Sequence, residues 1–164
     1  MVIGITGHRH LDDPSAWDWV RHEIRALLTP MPRPLVGMTA LAIGADQVFA
    51  EVVLELQGEI EVIIPFVGYE KTFKNEVDLL KYRRLRSVAS RIETLENSVS
   101  EEESYLLAGK KIVDCCDLLI AVWNGQPAHG LGGTADIVTY AILTGKQWVR
   151  LNPVAQEISV SRRR

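Results

Sequence analysis

The sequence has little with which to cross-link itself, because its only two cysteines, Cys115 and Cys116, are neighbours in the chain. A disulfide between adjacent residues is strained, so the staples of small secreted domains are excluded and a reducing, cytoplasmic setting is expected. Long apolar runs are also missing: no segment approaches the roughly 20 apolar residues that a bilayer-spanning helix needs. The opening MVIGITGHRH carries neither the apolar stretch nor the small-residue cleavage site of a secretory leader. The chain therefore reads as soluble, with no membrane partner. Charge of one sign is scarce as well. With 18 Lys and Arg against 21 Asp and Glu, the net charge of −3 argues against wholesale coating of nucleic acid or of an anionic membrane. Any basic site must be local. No internal repeat, low-complexity tract or linker divides the chain.

What is present suits one core. Across 164 residues, 47% are hydrophobic and 24% charged, enough apolar matter for a single buried interior. Strand-length runs recur at Val2–Thr6, Leu35–Met38, Ile60–Pro65, Arg91–Leu95, Leu118–Trp123 and Gln147–Leu151. The first, third and fifth are rich in Ile, Val and Leu with little polar alternation, as in strands covered on both faces. Helical spacing fills the gaps. Asp13 as N-cap and Pro14 open a first helix carrying Trp17, Val20, Ile24 and Leu27 on one face, ending at Leu28–Pro30. A second follows Gly44 and Asp46 with Val48, Phe49, Val52, Val53 and Leu56, and Gly58 is expected as its left-handed stop. Phe73, Val77 and Leu80 mark a third. Ser100 with Glu103 forms a capping box for a fourth, running through Leu106, Leu107 and Ile112 to Cys115. A fifth starts near Thr134 and buries Ile137, Val138, Ala141 and Ile142 before Gly145.

Strand and helix alternate throughout, which predicts an α/β, Rossmann-like three-layer sandwich: a mainly parallel sheet of about six strands with helices on both faces. The domain is expected over residues 1–153, and residues 154–164, ending in SVSRRR, as a basic frayed tail. Right-handed crossovers put the loops at the carboxyl ends of the strands on one rim, where ligands of open sheets bind near the reversal of strand order. Four loops belong to that rim: Gly7–Asp12, Thr39–Asp46, Phe66–Thr72 and Asn124–Thr134.

In the first, GITGHR lacks the third glycine of the dinucleotide fingerprint, so ordinary NAD binding is not expected. Gly7 permits a tight turn and places His8 and Arg9 where an anion or a base could meet them; pairing of Arg9 with an acidic neighbour is the structural alternative. In the second, Gly44 lets the main chain pass under a ligand, while Asp46 can cap the following helix, contact the ligand, or both. The fourth, WNGQPAHGLGGTAD, is the most informative. Gly130, Gly132 and Gly133, with Gly125 before them, strip side chains from the main chain where N–H groups point outward from a helix start, as phosphate binding requires, and Thr134 adds a hydroxyl. No lysine follows in the manner of a P-loop.

Other features read more blandly. Lys81, Arg83, Arg84 and Arg86, with Lys71 and Lys74, either steer phosphate to the rim or form a solvated helix face. His8 and His10 lack the further ligands of a metal site, and no metal or cofactor is expected. At least one cysteine should be a small core residue. Trp123, at the end of the fifth strand beside Asn124, could stack on a base, whereas Trp17, Trp19 and Trp148 suit packing.

Taken in order, ITGHR, AIGADQVFAE, CDLLIAVWNG and GLGGTAD resemble the SLOG superfamily, which unites the Smf/DprA proteins with the LONELY GUY hydrolases, over roughly residues 1–153. The resemblance implies a Rossmann-like fold that binds a nucleotide or nucleotide-derived small molecule through the first-strand loop and the glycine-rich helix start. Together with the readings of the loops above, the expected binding residues are Gly7, His8, Arg9, Gly44, Asp46, Trp123, Asn124, Gly132, Gly133 and Thr134. Catalytic members of that superfamily place a glutamate three residues after the threonine of PGGxGTxxE, and an arginine on the preceding helix. Here those positions fall on Ile137 and near Ala108, with Asp136 one residue early and Lys110 and Lys111 beyond Gly109. One residue is about 100° on a helix, so Asp136 cannot reproduce that geometry. The resemblance thus implies ligand binding first. The alternatives are an N-glycosidic hydrolase or transferase using Asp136 or Asp46, and single-stranded DNA binding of the DprA kind, which the acidic charge disfavours. Relatives often form homo-oligomers, so a homodimer is a further expectation, as is a ligand-sensing role.

Overall fold

The computed structural model describes residues 1–96, 100–127 and 130–161. Its strands are β1 (Val2–Gly7), β2 (Val36–Thr39), β3 (Glu59–Ile64), β4 (Arg91–Thr94), β5 (Leu118–Val122), β6 (Trp148–Asn152) and β7 (Glu157–Val160), in the sheet order β4-β3-β2-β1-β5-β6-β7. Every pairing is parallel except β6 with β7. The sheet therefore has seven strands, and residues 154–161 are no frayed tail. The chain turns after Asn152, whose side chain accepts from the Val154 and Ala155 amides, and returns antiparallel, with Val149 opposite Val160. The Ser161 amide donates to the Trp148 carbonyl, and the Ser161 hydroxyl accepts from the Trp148 amide. Residues 162–164 of the expected tail lie outside the described residues.

The helices are α1 (Ala16–Leu28), α2 (Ala45–Glu55), α3 (Glu76–Ser87), α4 (Glu101–Cys115) and α5 (Thr134–Leu143), with a 3₁₀ turn at Tyr69–Thr72. They cover both faces of the sheet and split the core. One cluster, with Ile3, Ile5, Val20, Ile24, Phe49, Val53, Ile60 and Ile120, lies under α1 and α2; the other joins Ile63, Leu119, Ala108, Ile112, Ile137 and Ala141 under α4 and α5. This two-faced burial is why β1, β3 and β5 are continuously aliphatic.

Local chemistry departs from expectation at several helix ends. The Asp13 carboxylate accepts from the amide and hydroxyl of Ser15, closing a turn ahead of α1 instead of capping the helix itself. Gln57, at φ +60, takes the left-handed stop after α2 that was expected at Gly58. Phe73 lies outside α3, and Val77 and Leu80 are exposed there; Tyr82 and Leu85 carry the buried face. Ser100 does cap α4, its hydroxyl accepting from the Glu103 amide at 3.1 Å. Leu107 on α4 and Ile142 on α5 face outward.

The order of strands decides where a ligand can go. From β1 the chain moves outward through β2, β3 and β4, then returns past β1 to β5 and continues the other way. The reversal lies between β1 and β5, paired from Ile3–Leu118 to Gly7–Val122, and at its carboxyl end the loops leaving the two strands diverge and leave a crevice.

Candidate functional site

At that crevice the loop leaving β1 is stitched to its neighbours on both sides. The His8 amide donates to the Val122 carbonyl at 3.0 Å, and the His8 carbonyl accepts from the Ala45 amide at 3.1 Å. His8 Nε2 accepts from the Asn124 amide at 3.1 Å, which puts the imidazole proton on Nδ1. Gly44 makes the close approach possible. It sits at φ +85, and a Cβ there would fall 2.5 Å from the His8 carbonyl oxygen and 2.6 Å from that of Arg9.

Behind Arg9, the β2–α2 loop closes around Asp46. Asp46 Oδ2 accepts from the Thr39 hydroxyl at 2.9 Å and the Ala40 amide at 3.0 Å, and the Ala42 amide also donates to the carboxylate. Asp46 therefore organises the loop before its helix rather than capping the helix, although its charge in the first turn of α2 still suits the helix dipole. Leu41, buried within this loop, is held at φ +55, a conformation rare for a branched side chain, with its amide on the Thr39 hydroxyl at 2.9 Å. Burial pushes the Asp46 carboxyl up to about 6, opposed by the Thr39, Ala40 and Ala42 hydrogen bonds and by the Arg9 charge. Tyr69, from the 3₁₀ turn, is buried beside it; burial and the Asp46 charge raise its phenol far above the ordinary value.

The glycine-rich loop forms the opposite wall. Gly132, at φ +83, lies flat on α4: a Cβ there would meet the Leu106 amide nitrogen at 2.7 Å and the Glu102 carbonyl at 2.9 Å. Its amide donates to Asp136 Oδ2 at 2.9 Å, so Asp136 turns back into the loop and orders it. This corrects the expectation that Gly132 presents a bare amide. The Asp136 and Ile137 amides take the Gly133 carbonyl. That leaves the amides of Gly133, Thr134 and Ala135 without an acceptor among the described residues, at the start of α5 where the first N–H groups have no partner within the helix.

Between these walls is a cleft of about 440 Å³. It brings together Gly7, His8, Arg9, Asp46, Trp123, Gly132, Gly133 and Thr134 from the expected site, while Gly44, Asn124 and Asp136 stand behind its walls. The Asn124 side chain accepts from the Gln126 amide, and Trp123 Nε1 donates to the Gln126 carbonyl at 2.8 Å, fixing the indole at the rim. Arg9 is exposed and has no carboxylate partner within ion-pair distance among the described residues. Sequence reasoning missed Tyr69, Tyr105 and Ile112; Ala108, Gly109 and Ile137, which the resemblance had placed at the hydrolases' catalytic positions, form with Ile112 an apolar floor. The floor residues do carry a signal, a small-residue stretch of α4 facing the buried stripe of α5.

The remaining candidates settle into structural places. Lys81 and Arg84 reach Glu51, and Arg83 reaches Glu70. Cys116 is buried, its thiol pushed up to about 11 chiefly by burial, and Cys115 is exposed. No cluster that could hold a metal occurs among the described residues. No described helix is long and apolar enough to cross a membrane.

A mostly parallel sheet between two helical layers, with a cleft at the strand-order reversal, defines a Rossmann-like fold. No family model matches the chain, and no curated protein matches it in sequence. Solved structures do. DNA processing protein A (DprA) from Streptococcus pneumoniae is similar with a TM-score of 0.64 at 16% identity, over 92% of this chain and 50% of that one. DprA from Helicobacter pylori, whose structure was described for its single-stranded DNA binding mode, is similar with a TM-score of 0.64 at 15% identity, over 93% of this chain and 65% of that one. The structural-genomics target TM1055 follows with a TM-score of 0.56 at 14% identity, over 90% and 71%. The chain spans about half the length of the Streptococcus pneumoniae protein. The shared feature is the fold, and it is the fold that the SLOG resemblance implies.

Proposed function

We propose that this protein binds a nucleotide or nucleotide-derived small molecule in the cleft between β1 and β5, with a phosphate on the amides of Gly133, Thr134 and Ala135. The observation that carries this reading is the convergence of those unsatisfied N–H groups with the uncommitted Arg9 guanidinium on one cleft. The Thr134 hydroxyl supplies a further donor, Trp123 offers a face for a base, and Asp46 a carboxylate for a hydroxyl. Binding, rather than cleavage of an N-glycosidic bond, is the favoured role. The floor where hydrolases of the resembling superfamily place a glutamate and an arginine is Ile137 against Gly109 and Ala108, and the Asp136 carboxylate is spent on Gly132.

Calorimetric titration with AMP tests the proposal, using Thr134→Pro as the control. Gly133 is extended at φ −71, ψ 171, which admits a following proline, and proline is tolerated at the first position of a helix. The variant therefore loses one amide and the hydroxyl without losing α5. Saturable AMP binding that Thr134→Pro weakens is expected; failure of AMP to bind, or equal affinity in both proteins, overturns the reading.

A second reading rests on the likeness to the Helicobacter pylori protein: the same rim binds single-stranded DNA. That likeness runs against the expectation from net charge that nucleic acid is not a partner. Affinity for oligothymidylate falling steeply with salt distinguishes it from the first reading. A homodimer has an apolar surface to bury in Leu107, Ile142 and Leu143, exposed on α4 and α5, and sedimentation velocity measures it.

A further inference from the structure

The cleft does not end at Arg9. On the far side of that residue and of Tyr105, a second depression of about 640 Å³ opens between the 3₁₀ turn and the start of α4. Arg9 and Tyr105 line both spaces, so the two are lobes of one groove. The walls of the second lobe carry Lys71, Lys74 and Arg9 against a single carboxylate, Glu101. Their state contrasts with the cations of α3, where Lys81, Arg83 and Arg84 are all drawn onto Glu51 or Glu70. Neither Lys71 nor Lys74 has a carboxylate within ion-pair distance among the described residues, although Glu70 and Glu76 are close in the chain. A pocket wall with three uncommitted cations and one acid attracts an anion, and lysine ammonium groups suit phosphate as point charges.

Resting on the proposed function, we infer that the ligand is a nucleotide carrying a second, separate phosphate, seated in this outer lobe on Lys71 and Lys74 while the first sits at the start of α5. Arg9, at the junction, neutralises charge on both sides, and the Tyr105 ring forms the partition against which the sugar or linker packs. Phe66, in edge-to-face contact with Tyr105, holds that ring in place with centroids 5.8 Å apart.

The experiment is a calorimetric comparison of AMP, adenosine 3′,5′-bisphosphate and an oligothymidylate on the full chain and on a Lys71→Ala/Lys74→Ala variant. Both lysines are exposed, so the variant should fold. The inference requires the bisphosphate to bind the native protein about tenfold more tightly than AMP, and this advantage to vanish in the variant while AMP affinity stays within about twofold. A bisphosphate no tighter than AMP overturns it, as does a variant that weakens AMP and bisphosphate alike, because the lysines then supply only a general field. Oligothymidylate binding more tightly than the bisphosphate, through the same lysines, assigns the outer lobe to nucleic acid and also overturns it. If AMP itself does not bind, the proposed function fails; if AMP binds without a bisphosphate advantage, only this inference does.

Discussion

Gly109 on α4 and Ile137 on α5 meet so closely that a Cβ on Gly109 would lie 2.3 Å from Ile137 Cδ1 and 2.7 Å from its Cγ1. The two helices touch at this point, and the contact makes the cleft floor apolar where a hydrolase would need polar groups.

Gly109→Ala should therefore cost about 1–3 kcal/mol of stability through overpacking, read from the midpoint of urea unfolding. Ile137→Glu places a carboxyl in a buried apolar contact and should be more damaging still. The native protein should release no free base from AMP on prolonged incubation. Chromatographic detection of sustained adenine release would count against the binding role.

Asp136 is expected to act on the loop and not on a substrate. Asp136→Ala leaves the Gly132 amide without its acceptor and should cost about 1–2 kcal/mol, while Asp136→Asn, whose amide oxygen can still accept, should cost less. Nucleotide affinity should follow stability across the two variants. An Asn variant as weak in binding as the Ala variant, yet fully stable, would show that the charge itself contacts the ligand.

The Asp46 carboxyl titrates near 6 when folded against 3.8 ordinarily, so between those values the folded protein holds a proton that the unfolded chain releases. Stability should then fall as pH rises from about 4 through 6, by on the order of 3 kcal/mol from this group alone. Asp46→Asn should flatten that part of the profile, measured as unfolding free energy against pH. An unchanged slope would place the titration elsewhere.

Arg9 lowers the Asp46 value and is otherwise unengaged by any carboxylate at bonding distance among the described residues. Arg9→Ala should move the Asp46 step to higher pH and cut AMP affinity by about tenfold or more, with little change in thermal stability at pH 5, where Asp46 is largely protonated. Retention of full affinity would remove Arg9 from the site.

Much of the architecture was legible because it is written in local pattern. The aliphatic runs of β1, β3 and β5 reflect burial on both faces, and the Ser100–Glu103 cap needs only four consecutive residues. β7 was illegible: all four of its residues, Glu157–Val160, are exposed, and its pairing depends on a neighbour already in place. Tyr69 and Tyr105 were missed for a related reason. They reach the cleft from the 3₁₀ turn and from α4, which meet at β1 only once the sheet has ordered β3, β2, β1 and β5 side by side.

By itself the sequence determined the alternation of strands and helices, the glycines at the opening of α5 and the cationic turn after β1, since each depends on residues adjacent in the chain. The tertiary structure decided which amides remain free, because the acceptor for Gly132 is a side chain one helical turn away whose reach depends on how the loop lies against α4. It also decided that Asp46 stays buried among donors from its own loop, and that Arg9 stands between two lobes. Those outcomes follow from strand order and helix packing, which bring distant segments to one rim.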